Sequence, residues 1–277
     1  MHNSDRTALR KALVVLGFAV FAVAIGLALH RAVPRIAEIN TDWLLPMFLA
    51  VFVSLAVQME QITVFLRTRG GQESRRWAAW FAAEKAWINV AIPAKAGTVG
   101  AVAVMAKRHG LPWTEYAAFM LLSGLLTAAS SLGGALFLFL DPLIAVGACL
   151  AIGLFLMALP SLPGDRGRAS RIYLIVLSVA NLMAIALGLV FALRVLGITS
   201  EFTELFPAGI ALNLLSLASL TPGNFGVREA VLAAIAPLLA VPFSELILGA
   251  TMFVIGRLGI SFLMATALRG VAWHPPE

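Results

Sequence analysis

An all-α integral membrane protein is predicted, with six transmembrane helices and two re-entrant helical hairpins arranged as an inverted repeat. Three observations carry this reading. Hydrophobic residues make up 61% of the 277 residues and charged residues only 12%, half the roughly 25% of an ordinary soluble domain. Apolar runs repeatedly reach the ~20 residues that a spanning helix needs. Two further apolar segments are broken by Pro and Gly, and their flanking charges place both ends of each on one side.

The runs that span are Ala12 to Ala32, Trp43 to Leu66, Thr114 to Phe139, Pro142 to Leu159, Ile172 to Leu196 and Leu246 to Leu268. The first follows Arg6, Arg10 and Lys11, as a signal peptide would. Its apolar run is longer than the 7–15 residues of a signal h-region, so it reads as a retained helix. Cys149 is the sole cysteine, which excludes a disulfide within the chain. The net charge of +6 sits at span ends, where it sets topology, and no nucleic-acid partner is expected.

The broken segments decide the architecture. Trp77 to Ala91 meets "IPAKAGTVG" and a second run continues to about Arg108. Residues 98–108 make only roughly 16 Å of helix at 1.5 Å per residue, about half of a ~30 Å hydrocarbon core. Phe206 to Leu220 and Val227 to Ala240, on either side of "TPGNFG", give limbs of roughly 22 and 21 Å. Arg75, Arg76, Lys107 and Arg108 flank the first segment, and Glu201, Glu204 and Glu245 flank the second. Reading both as hairpins, at 77–108 and 206–240, collects thirteen of the twenty Lys and Arg residues on the cytoplasmic side, together with both termini. The chain is then one polytopic domain of the cell membrane.

The hairpins also repeat. Pro93-Ala-Lys-Ala-Gly97 and Pro222-Gly-Asn-Phe-Gly226 share Pro-x3-Gly, followed by Pro112-Trp-Thr-Glu115 and Pro242-Phe-Ser-Glu245. Each half, 1–140 and 141–277, reads as span, span, hairpin, span. Three crossings per half invert one half against the other, the arrangement in which broken helices of secondary transporters meet at a midplane substrate site.

Non-helical backbone at membrane depth needs protein or a water-filled cavity around it, so Pro222, Gly223, Asn224 and Gly226 imply a polar pocket and Pro93 to Gly97 its counterpart. New helices begin at each break, and their free N–H groups favour anions, phosphate among them. Arg228 and Lys95 stand at those starts, and Glu229 suits its own helix dipole. Arg257 lies near the centre of the last span, where a cation is costly unless partnered or functional; Glu229, Glu60 and Glu84 are its candidate partners. Glu60, between Gln58 and Gln61, and Lys85, beside Glu84, are candidate cavity residues. Asn89, Asn181 and Asn213 read as interhelical hydrogen-bond groups. The histidines have no metal-ligand spacing, and neither a nucleophile elbow nor a soluble-type phosphate loop occurs. No enzymatic activity, cofactor or metal is expected.

The run "LTPGNFGVREAVL" resembles the Pro-Gly-x-x-Gly-x-Arg-Glu signature of the lysylphosphatidylglycerol synthase membrane region, a flippase-like family. Arg257 is similar in place to an arginine of that family's last span, and "NVAIPAKAGTVGAVAVMAKRHG" resembles its earlier Asn…Pro-x-[Arg/Lys]-x-Gly element. The resemblance implies the lipid-translocating half of such proteins. Thr98 and Ala101 stand where the family usually has an acid and an arginine.

The expected function is translocation of a phospholipid or a lipid-linked, phosphate-bearing headgroup by alternating access between the hairpins. Pro222, Gly223, Asn224, Gly226, Arg228 and Glu229 form the core of the expected site, and Pro93, Lys95, Gly97, Arg257, Glu60 and Lys85 complete it. Arg228 and Lys95 are expected to attract phosphate, and Glu229 to hold Arg257 or a cationic headgroup. The alternatives are a non-transporting subunit that presents lipid to a separate lipid-modifying enzyme, and an ion-coupled small-solute transporter. A homo-oligomer is compatible with either.

Overall fold

The computed structural model describes residues 39–68, 74–92, 95–139, 141, 143–144, 146–148, 151–153, 168–198, 201–218, 224, 227–238 and 241–272. Among these, every regular element is helical. Four helices are long and apolar enough to cross a membrane: α1 (Leu44–Thr68), α4 (Trp113–Phe139), α5 (Arg168–Val195) and α8 (Phe243–Ala272). They fall on four of the expected spans. The expected span from Ala12 to Ala32 lies outside the described residues, as does most of the one from Pro142 to Leu159.

The shorter helices are α2 (Arg75–Ala91), α3 (Ala96–His109), α6 (Phe202–Ala218) and α7 (Val227–Ile235). Ser74 starts α2 by accepting the Trp77 N–H at 3.1 Å, an N-cap that satisfies one orphan donor. Helix α3 folds back along α2. A Cβ on Gly97 would collide with the Lys85 carbonyl oxygen and lie 2.9 Å from Asn89 Oδ1. Residues twelve apart on one continuous helix would be separated by roughly 18 Å, so this contact requires a hairpin, and only glycine fits it.

The second broken segment differs from expectation at two ends. Helix α6 starts four residues before Phe206, because Glu204 Oε2 accepts the Glu201 N–H at 3.0 Å, the reach-back half of a capping box. Pro207 is carried inside the helix at the loss of one backbone hydrogen bond. Helix α7 stops at Ile235 and passes into a 3-10 turn, Ala236–Leu238. Pro237 disfavours α geometry in the residue before it, so the limb does not reach Ala240 as an α-helix.

Helix α5 is central, packed against α1, α4, α6 and α8. Gly209 of α6 lets that helix close on α5, since a Cβ there would lie 2.6 Å from Ala186 Cα; small residues serve this role between membrane helices. A ladder of side chains ties four helices together. Ser54 Oγ donates to Asn181 Oδ1 (2.8 Å), Asn181 Nδ2 to Asn213 Oδ1 (3.4 Å), and Asn213 Nδ2 to Ser131 Oγ (2.9 Å). These two asparagines thus form interhelical bonds, as their sequence context predicts. An aromatic cluster of Phe65, Trp77, Phe81, Tyr116 and Phe119 joins α1, α2 and α4. The Arg108 guanidinium lies 5.2 Å from the Trp77 ring centre. Large apolar side chains also face outward, among them Leu45, Phe52, Ile172 and Leu263, as a lipid-facing surface requires.

Two local geometries occur twice. Lys95 (φ 52°) and Asn224 (φ 57°) are the non-glycine residues with positive φ among those described. Each is the third residue of a Pro-x3-Gly run. Helices α4 and α8 both start with a glutamate N–H donating to a proline carbonyl: Glu115 to Pro112 and Glu245 to Pro242, each at 3.0 Å.

Candidate functional site: a cationic chamber beside the first hairpin

Lys85 and Asn89 are one helical turn apart on α2 and therefore share a face. Asn89 also secures the start of α3. Its Oδ1 accepts the Thr98 N–H at 3.0 Å, and its Nδ2 donates to Thr98 Oγ1 at 3.0 Å. With the hairpin closed in this way, Lys95 occupies the turn in a left-handed conformation and has no side-chain capping bond. Such a backbone costs an L-residue other than Gly or Asn roughly 1–2 kcal/mol, and strain of this kind clusters at ligand sites and switches.

Lys85, Asn89, Lys95 and Thr98 face a cavity of about 150 Å³. Arg257 of α8 enters it from another side, while Gln58, Gln61, Ser123, Thr127 and Asn181 supply polar walls from α1, α4 and α5. The volume holds several waters or a small polyatomic anion. Three basic side chains line it, and among the described residues no carboxylate does. Arg257 Nε is buried without a hydrogen-bond partner among those residues. Three cations held together in a low-dielectric setting repel one another. An anion would relieve that repulsion, and the positive end of the α3 dipole at Lys95 adds to its attraction.

The residues around the second break are arranged differently. Arg228 is 1% exposed. Its Nε donates to Glu229 Oε1 at 3.0 Å, its Nη2 bonds the same oxygen and Thr251 Oγ1 (2.8 Å), and its Nη1 reaches the Ala250 carbonyl at 3.4 Å. Adjacent helical residues do not ordinarily face each other. Here a guanidinium buried against α8 cannot stay unpaired, and its flexible stem bends to the next carboxylate. Glu229 is thereby committed to Arg228, which corrects the expectation that it holds Arg257. Glu84 accepts the Trp87 indole N–H at 2.9 Å, and among the described residues no ion pair joins it to Arg257.

The structure thus brings Lys85, Lys95 and Arg257 together, with Gly97 forming the hairpin contact just behind them. It sets Arg228 and Glu229 about 9 Å farther along α8, judging from the rise between Thr251 and Arg257. Glu60 is not among the chamber's lining residues although Gln58 and Gln61 are. Asn224 adopts the left-handed turn described above, while Pro93, Pro222, Gly223 and Gly226 lie outside the described residues. Ser123, Thr127 and Thr251 were not expected at these sites. Their one available signal was the isolated hydroxyl, and for the first two the i, i+4 spacing, inside an apolar span. No protein-family model matches the chain and no curated protein matches it significantly.

Proposed function

We propose that the protein translocates a phospholipid, or a lipid-linked phosphate-bearing headgroup, across the cell membrane. The observation that carries this reading is the chamber with three cations and no lining carboxylate among the described residues. Inside a membrane such a site is costly when empty, and a phosphate would compensate it with charge-assisted hydrogen bonds. Lys95 and Arg257 approach from different elements, the hairpin turn and a long span, so relative motion of the two would open and close the chamber. The resemblance of "LTPGNFGVREAVL" and of the first hairpin to a flippase-like membrane region points the same way.

In this reading the chain has six spans and two re-entrant hairpins, with both termini cytoplasmic and the two halves inverted. The matching left-handed residues Lys95 and Asn224 and the matching helix starts at Glu115 and Glu245 support a duplication, because backbone devices recur in the same order. The halves then differ in chemistry. The first turn presents a cation to an open chamber, and the second half holds its cation in an internal pair.

Reconstitution into liposomes tests the proposal. Wild-type protein is expected to move phosphatidylglycerol between leaflets, and Arg257→Gln and Lys85→Gln, folded to the same extent, to slow it at least about tenfold, the loss expected for one charge-assisted contact. Unchanged rates in both variants would overturn it. The small volume of the chamber favours a second reading, a carrier of a free small anion. Uptake of radiolabelled phosphate by the same vesicles, with no lipid movement, would establish that instead.

A further inference from the structure

We infer that the apolar cleft between α4, α5 and residues 151–153 takes a hydrocarbon chain of the same lipid whose phosphate enters the chamber. This rests on the proposed function and adds a second binding site to it. The cleft has a volume of about 470 Å³ and is lined by Leu126, Ala129, Gly133, Gly153, Val179 and Met183, among others. Among the described lining residues the one side-chain hydroxyl, on Ser130, already donates to the Thr127 carbonyl at 3.0 Å. A cavity of this lining stays free of water, and none of the described lining residues would hold a charged or sugar-like group. Small side chains create the space, and among the described residues no other atom lies within 4 Å of a Cβ placed on Gly153. Val179 and Met183 remain 45% and 38% exposed, so the cleft opens sideways, where a chain can enter from the bilayer.

Its relation to the chamber identifies the occupant. On α4, Thr127 lines the chamber while Leu126 and Ser130 line the cleft; on α5, Asn181 lines the chamber while Val179 and Leu182 line the cleft. The two cavities therefore flank one helix seam, with their walls less than a helical turn apart. A molecule with an anionic head and a hydrocarbon tail matches both, whereas a free anion uses only the chamber. The chain passes from one apolar medium to another, so packing rather than water release holds it, and the expected effects are moderate.

Binding to the full-length protein in detergent tests this with three probes: sodium phosphate, dihexanoyl phosphatidylglycerol and dioleoyl phosphatidylglycerol. Gly153→Phe and Ala129→Leu fill the cleft from opposite walls. Each is expected to weaken the dioleoyl lipid roughly three- to tenfold, the scale of packing differences in an apolar medium, and to leave phosphate and the dihexanoyl lipid unchanged. Partition into the micelle is common to wild type and variant, so the ratio between them is what is read. Wild-type affinity for the dioleoyl lipid in both variants overturns the inference and makes the cleft a place for bulk lipid. Equal loss of all three ligands also overturns it, since the cleft would then be structural support. Arg257→Gln separates the two proposals: it is expected to weaken all three probes, and unchanged phosphate binding there would remove the chamber from the mechanism whatever the cleft does.

Discussion

Arg228 offers the sharpest separation between a group that holds the protein together and one that binds its substrate. Its guanidinium is fully engaged by Glu229, Thr251 and the Ala250 carbonyl, so it should act as a staple between α7 and α8. Thr251→Val keeps the shape and removes one acceptor from a charged donor, a loss of about 1.5–3 kcal/mol. Arg228→Met takes the buried cation from the Glu229 carboxylate. Breaking a buried pair from one side costs about 3–5 kcal/mol, and the lower end applies because the Glu229 side chain is 26% exposed. Arg228→Met combined with Glu229→Gln removes both charges and should recover much of that loss, because the pair is removed from both sides. Thermal unfolding of the purified protein, followed by fluorescence-detected size exclusion with no added lipid, reads all four proteins. The expected order is wild type, then Thr251→Val and the double variant, with Arg228→Met lowest. An Arg228→Met protein as stable as wild type that has nonetheless stopped moving lipid would refute the reasoning and return Arg228 to the substrate.

Other expectations follow from the first hairpin and the topology. Gly97→Val forces a side chain into the Lys85 carbonyl; it should destabilise the protein by about 1–3 kcal/mol and weaken phosphate binding, both measurable in one melting series with and without phosphate. Lys95→Asn relieves the left-handed strain and should raise stability by roughly 1 kcal/mol, while phosphate affinity falls because a cation has left the chamber. A variant that loses both would show that Lys95 supports the fold. Single cysteines at Lys107 and Pro242, in a Cys149→Ser background, should react with a membrane-impermeant reagent from opposite sides, and same-side labelling would remove the inverted arrangement.

Helix existence was legible wherever the signal is one-dimensional. Run length located α1, α4, α5 and α8, and the break at "IPAKAG" located α2 and α3 to within a turn. What the sequence could not supply was direction around each helix axis. In a soluble helix the polar face identifies the outside, but here every face is apolar, so depth is readable and azimuth is not. The expectation that Arg257 and Glu229 pair followed only from both lying inside the membrane, and it missed a separation of about 9 Å along α8. The structure turns Arg257 toward Lys85 and gives Glu229 to Arg228. Glu60 failed to reach the chamber for the same reason, while its neighbours Gln58 and Gln61 line it. The early end of α7 was legible in principle: Pro237 was in plain view, and the apolar run through it concealed its effect on the backbone.

The bonds between Asn89 and Thr98 bear on how the chain is made. Helix α3 has fourteen residues, a length at which an isolated helix is marginal in water, and the amide that caps its start belongs to the preceding limb. The start of α3 is thus completed by a residue of the limb synthesised before it. In the proposed arrangement residues 75–109 would enter lipid as one unit, with Thr98 already bonded to Asn89. A mutation that breaks this bond would then register first as a defect in biogenesis, seen as degraded nascent protein, before any mature molecule could display a fault in transport.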